Sequence, residues 1–309
     1  MALSRLGQVN TAGDEFALFL KVFGGEVLTE FETSLVFKDK HFMRQLDSGK
    51  SAQFPLIGAA TVQTHTPGND VTVDAIPHAE KVITVGGKVT SAVSIADIDE
   101  AMNHYDVRSP YSTEMGRALA KFYDYNVALS MVLAARSSSP LTGRAGGSVL
   151  TNAAYDTDGA VLGTALYSAA ELFDTKDVPG SEARRAFFRP KHFYLLAQQT
   201  NLINKDFGGT GSIAEGVIRT VAGIDIVKTK QVPGTNETAN TKLPSHLRIN
   251  TATTVGVIST PYSAGSVQLM ALQTESERRI EKQDFLMVSG YVTGHDALRA
   301  DCAIELKTS

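Results

Sequence analysis

The residues of this chain that could do chemistry are seven histidines, one cysteine, several glycine-rich turns and some clustered charges. Their spacing argues against each obvious chemistry in turn. Gly49-Lys50-Ser51 imitates the end of a phosphate-binding loop, but such a loop needs a glycine five residues before Gly49. Arg44 stands there, and a strand-like pattern follows where a helix should. Gly208-Gly209-Thr210-Gly211-Ser212 is flexible enough to wrap a phosphate, yet it lacks the GxGxxG spacing, and a solvent-exposed loop is the simpler reading. His41, His65, His78, His104, His192, His246 and His295 never fall at a metal-ligand spacing, so each reads as a packing or surface residue. Ser263 has Pro261 where a nucleophile elbow needs glycine. Asp97, Asp99 and Glu100 could hold a cation, but favourable charge at a helix start or an ion pair between subunits fits them better. Glu275, Glu277, Arg278, Arg279, Glu281 and Lys282 mix signs between two strands. They form either a solvated loop or a surface that meets its complement on a neighbour.

Composition narrows the class. With 309 residues, 43% of them hydrophobic and 20% charged, the chain has material for one large or two modest domains with a sizeable core. The apolar run from Phe16 to Phe23 is interrupted by Lys21, and no stretch reaches the roughly 20 apolar residues that a membrane crossing needs. The first residues lack the apolar core and cleavage site of a signal peptide, so the protein is expected to stay in the cytoplasm where it is made. A lone Cys302 excludes an internal disulfide and disfavours a cysteine-built metal site. The net charge of −4 argues against a nucleic-acid binder, whose affinity comes from clustered Lys and Arg.

Residues 1–14 are polar and aperiodic and read as a mobile terminus. Asp14 caps a helix in which Phe16, Leu20, Phe23 and Val27 make an apolar stripe, while Gly24-Gly25 weaken it and let the chain bend. Residues 50–93 turn β-like, and Pro67-Gly68 fits a type II turn at the tip of a hairpin. Arms of about 17 residues would reach roughly 55 Å at ~3.3 Å per residue, beyond the radius of gyration of about 19 Å expected for a compact body of this length. Only one aromatic residue, Phe54, is available to anchor this hairpin on its own core, so the hairpin is expected to overhang onto another subunit. A short helix follows over 96–105. Ser109-Pro110 then opens a long one over 110–136, about 40 Å at ~1.5 Å per residue, with Met115, Leu119, Phe122, Leu129 and Leu133 on one face and Asn126 as the polar break. Further helices are expected over 159–173 and 190–199, strands at 186–188, 224–227, 256–258, 267–272, 285–292 and 303–307, and a mobile excursion over 231–245. The mixed order favours α+β over a doubly wound sheet.

Several of these stretches carry a family resemblance. They are Ala17-Leu18-Phe19-Leu20-Lys21-Val22-Phe23-Gly24-Gly25-Glu26-Val27-Leu28-Thr29, then Gly49-Lys50-Ser51-Ala52-Gln53-Phe54-Pro55, and Ala79-Glu80-Lys81-Val82-Ile83-Thr84-Val85-Gly86-Gly87. With them go the run from Asp97 to Pro110 and Tyr291-Val292-Thr293-Gly294-His295-Asp296-Ala297-Leu298-Arg299. Together they resemble the major capsid proteins of T-seven-like short-tailed bacteriophages (podoviruses). The match is specific over the first 120 residues, weak between about 137 and 265, and moderate at the C-terminus.

The resemblance implies an HK-97-like capsid fold of class α+β. Its parts would be an N-terminal arm over 1–45, an extended β-hairpin loop over 46–93, a peripheral domain over 94–175 with its spine helix at 110–136, an axial domain over 176–262 and return strands over 263–309. It further implies a structural protein without catalysis or cofactor that self-assembles as hexamers and pentamers into an icosahedral virion shell around a double-stranded DNA genome. A scaffolding protein, a portal protein at one vertex and DNA contacted without sequence specificity would be its other partners, with no membrane. A near-neutral wall would suit such a container, since it does not adsorb a polyanion that must slide past it. With the charge pattern, the resemblance points to intersubunit contacts at Phe16, Phe19, Phe23, Glu26, Lys50, Phe54, Lys81, Asp97, Asp99, Glu100, Arg108, Arg278 and Arg279. Two other readings remain open at this point: the shell of a cellular nanocompartment with the same fold, and an α+β enzyme binding a phosphorylated ligand at residues 208–212.

Overall fold

The computed structural model describes residues 17–68, 70, 73–96, 98, 108–199 and 220–309. The expected cap at Asp14, the loop 208–212 and nearly all of the helix expected over 96–105 lie outside them. The architecture is α+β. Four helices, α1 (Ala17–Ser34), α2 (Arg108–Arg136), α3 (Gly159–Thr175) and α4 (Pro190–Ala197), are joined by twelve strands within the described residues. Those strands are β1 (Phe42–Gln45), β2 (Ser51–Ile57), β3 (His78–Thr84), β4 (Val89–Ala96), β5 (Ser148–Thr151), β6 (Arg185–Phe188), β7 (Thr220–Val221), β8 (Ile224–Lys228), β9 (Thr254–Ser259), β10 (Ala264–Arg279), β11 (Asp284–Ala297) and β12 (Ala303–Lys307).

The chain divides into two units, each assembled from three separate stretches of sequence. The first holds α1, β4, the part of α2 up to Asp124 and portions of β10 and β11. In it β4 pairs antiparallel with β11, Asp284 opposite Ala96 through Tyr291 opposite Val89, and Val27, Ile95, Met115 and Met287 close over one another. Phe31, Tyr123 and Tyr291 form an aromatic triangle with ring centroids 5.7 to 6.3 Å apart, and the Tyr291 hydroxyl donates to the Leu119 carbonyl at 3.2 Å. Helices α1 and α2 meet at Gly116, where a Cβ would come within 2.8 Å of the Val27 carbonyl; only glycine permits that approach. Just beyond α1, Asp124 accepts hydrogen bonds from the backbone N–H groups of Val36 (2.8 Å) and Phe37 (3.2 Å), which ties off the chain as it leaves the helix.

The second unit is built on a six-stranded sheet of order β5-β12-β9-β6-β8-β7, mixed in direction, with β12 parallel to β5 and antiparallel to β9. Helices α3 and α4 contribute Leu162, Leu166, Phe173, Phe193 and Leu196 to its core, against Phe188, Ile224, Ile258 and Ile304 from the strands. Asp158 caps α3 by accepting from the Ala160 N–H at 2.8 Å. The remaining part of α2 is buried on nearly every side: Val127, Ala128, Leu129, Met131, Val132, Ala134 and Ala135 are all inside. The single stripe expected from sequence is therefore too narrow for this half, which behaves as an interior helix.

Four expectations need correction. Helix α1 runs unbroken through Gly24-Gly25; glycine costs about 1 kcal/mol relative to alanine in a helix, an amount that packing can offset. Residues 231–245 are packed rather than mobile, because Val232 and Leu243 are buried and Glu237 accepts from Tyr125, Thr235 and Asn240. Glu275, Glu277, Arg278 and Arg279 lie on β10 itself and not in a loop. The hairpin base is anchored in its own subunit, since Ala52, Phe54 and Ile83 pack with Val267 and Leu298. Phe54 is thus enough of an anchor when aliphatic neighbours share the contact.

Candidate intersubunit surface

The β2–β3 hairpin positions the most exposed apolar residues of the described chain. Its ladder pairs Ser51 with Thr84 through Ile57 with His78, and the strand alternation buries Ala52, Phe54 and Leu56 while Gln53, Pro55 and Ile57 face out. Past Ile57 the ladder ends, yet the two arms stay in register. The Gly58 N–H donates to the Pro77 carbonyl at 2.9 Å, and Asp74 accepts from the Thr61 hydroxyl at 2.7 Å and the Gln63 amide at 2.6 Å. Those hydrogen bonds, Thr61's first, hold the Asp74 carboxyl below its ordinary value. At the tip Gly68 has φ +100, the left-handed conformation that a type II turn requires after Pro67. Continuing the register sets Val62 opposite Val73, and these side chains are 97% and 89% exposed. An apolar pair so placed contributes nothing to its own core.

Beside the hairpin base is a cleft of about 390 Å³. One wall is aromatic: Phe42 meets Phe54 edge-on at 5.8 Å and stacks on Tyr262 at 6.0 Å. Leu56, Leu141 and Leu298 supply apolar floor, and Arg144, Arg299 and Asp301 close one end. Within that end Asp301 lies 2.8 Å from Arg299 and 3.7 Å from Arg144. Sequence reasoning missed this cleft, because its residues come from five separate stretches. It also missed the bracing by Asp74, although counting outward from Pro67-Gly68 places Thr61 and Asp74 opposite each other.

The structure disperses the residues singled out from sequence. Phe16, Asp97, Asp99 and Glu100 lie outside the described residues. Phe19 and Phe23 are on α1 and Arg108 opens α2. Glu26 accepts from the Ser112 hydroxyl at 2.7 Å. Lys81 pairs with Asp296 at 2.9 Å. Arg279 grips Asp284 through Nε at 2.9 Å and Nη2 at 2.5 Å, which, with the Ser94 hydroxyl, holds the Asp284 carboxyl low. Lys50 and Arg278 are exposed. Phe54 is the one candidate that belongs to both the hairpin and the cleft.

Histidine chemistry stays internal. The His295 ring is buried, its Nδ1 2.7 Å from the Ser266 hydroxyl, and His246 bonds the His295 carbonyl at 2.8 Å. Burial first, then the neighbouring His41 and His246, push the His295 pKa down to about 3. Among the described residues no group of three or more His, Cys, Asp or Glu side chains is placed to hold a metal ion, and no helix is long and apolar enough to cross a membrane.

The described surface thus carries an exposed apolar hairpin, an apolar cleft and charges that are largely paired within the chain. Comparison with known proteins gives the family. The Gp10A-like family, described as major capsid protein, matches residues 53–307. The major capsid protein of Escherichia phage T7 is 32% identical over 96% of this chain and 93% of its own. Among solved structures, the capsid of the cyanophage P-SCSP1u superposes with a TM-score of 0.81 at 43% identity, covering 100% of this chain and 99% of that one. The mature capsid of bacteriophage PhiM1 shares the fold at 19% identity, with a TM-score of 0.76 over 89% of this chain and 87% of that one. The expected HK-97-like capsid fold is thus shown, and the chain belongs to the Gp10A-like family of phage major capsid proteins, structural proteins of the virion shell.

Proposed function

We propose that this capsid protein assembles as hexamers and pentamers into a closed icosahedral shell around a double-stranded DNA genome, with each subunit's hairpin lying on the next subunit. The observation that carries the overlap is the hairpin beyond Ile57: Val62 and Val73 are almost wholly exposed on a segment braced by its own hydrogen bonds. A contact of one surface with a different surface on the next copy is heterologous, and it closes when the rotation returns to its start. The exposed Lys50 and Arg278, together with Phe16, Phe19, Phe23, Asp97, Asp99, Glu100 and Arg108, are the proposed contact residues. Glu26, Phe54, Lys81 and Arg279 act through the surfaces that they brace. A scaffolding protein during assembly and a portal at one vertex complete the proposed partners. DNA would be enclosed without sequence-specific contact, in keeping with a net charge of −4.

Electron microscopy of purified particles tests this reading. Closed shells with five-fold and six-fold clusters and nuclease-protected double-stranded DNA in the native particle are expected. Particles of a few subunits, or shells filled with protein and free of DNA, would overturn it.

A further inference from the structure

We infer that the cleft walled by Phe42, Phe54 and Tyr262 is the socket that receives the Val62–Val73 tip of a second copy of this chain. The inference rests on the overlap reading above and names the socket for it. The tip does not enter the cleft of its own subunit, since Val62 and Val73 stay exposed and neither lines it. Ile57 lies at that cleft, and five residues of extended chain carry Val62 roughly 16 Å away at ~3.3 Å per residue. The cross-arm Gly58–Pro77 and Thr61–Asp74 hydrogen bonds hold the two arms together along that course. Shape and chemistry match: a paired-valine knob with no aromatic ring of its own meets an aromatic wall and a leucine floor.

Charge matches too. Residues 58–77 contain Asp70 and Asp74 and no Lys or Arg, while the polar end of the cleft sets Arg144 and Arg299 against Asp301. Asp74 is already occupied by Thr61 and Gln63 and Arg299 by Asp301 and Glu182, which leaves the exposed Asp70 to face Arg144, whose contact with Asp301 is a long 3.7 Å. Because each copy offers one tip and one socket in different places, the contact propagates around a ring.

Two cysteine substitutions test the assignment in assembled particles. Val73→Cys and Ser139→Cys put thiols on tip and socket, and Cys302 is buried and stays out of the reaction. Mild oxidation of shells of the double variant should give a ladder of linked chains on denaturing gels, absent from either single variant. Intact shells without a ladder would overturn the assignment, as would dimers from Ser139→Cys alone, which would mean that socket faces socket. If the cysteine pair fails to assemble, charge reversal decides. Arg144→Glu should lower shell yield at least tenfold and Asp70→Arg should restore it in the double variant; no loss, or no restoration, overturns the inference. Failure of the unmodified chain to form shells would instead overturn the overlap reading itself.

Discussion

Arg136, the last residue of α2, grips Glu305 on β12 with two parallel hydrogen bonds, Nε to Oε2 and Nη2 to Oε1, both 2.6 Å. Glu305 is 0% exposed and also accepts from the Thr254 hydroxyl on β9 at 2.5 Å. Arg136 donates further to the Asn250 carbonyl at 2.7 Å. One guanidinium at a helix C-terminus, where positive charge is favoured, thus pins the long helix to two adjacent inner strands of the six-stranded sheet. Arg136→Ala leaves a buried carboxylate without its partner, at a cost of about 3–5 kcal/mol. Glu305→Gln keeps a neutral acceptor and should cost clearly less. Thermal or denaturant unfolding of the isolated subunit checks the order of the two variants; equal small losses would mean that the pair does not fasten the helix.

Leu129 is fully buried in the half of α2 that is covered on nearly every side. Leu129→Asp buries an unpaired charge there, and several kcal/mol of lost stability is expected. Soluble, assembly-competent protein should disappear. A normal yield of particles from this variant would contradict the buried position of the helix.

His295 ties stability to pH. Its folded pKa is depressed to about 3 from 6.5, so the fold holds the neutral ring while the unfolded chain takes up a proton below pH 6.5. The stabilisation is complete above the unfolded value and erodes as pH falls from about 6.5 towards 3, amounting to about 2 kcal/mol lost by pH 5. Between pH 7 and pH 5 the midpoint of unfolding of His295→Gln should shift less than that of the parent chain. Identical slopes would show that other groups carry the acid sensitivity.

Cutting the hairpin short should separate folding from assembly. Replacing residues 59–73 with a brief Gly-Ser turn removes Val62 and Val73 but leaves Ala52, Phe54 and Ile83 in their cluster with Val267 and Leu298. The variant should unfold cooperatively as a monomer or small oligomer and form no closed shells, as sedimentation and microscopy would register. Aggregated protein would place the excised part in the subunit's own core; normal shells would deny it a role between subunits.

By itself the sequence determined the elements whose causes are local. Ser109-Pro110 and the proline-free run behind it predict α2, Pro67-Gly68 predicts the turn that the positive φ of Gly68 shows, and the β-branched runs near the C-terminus predict β9 to β12. The recognisable stretches over the first 120 residues and near the C-terminus also carried the family. What only the tertiary structure decided depends on residues distant in sequence. The packing of residues 231–245 around Glu237, the near-complete burial of the C-terminal half of α2 and the pairing of Arg136 with Glu305 across 169 positions are settled by neighbours that no local window contains. The same is true of the socket. Phe42, Phe54, Leu141, Tyr262 and Leu298 become one apolar surface only when the sheet and hairpin bring five stretches together, because burial is a property of the folded neighbourhood and not of residue type.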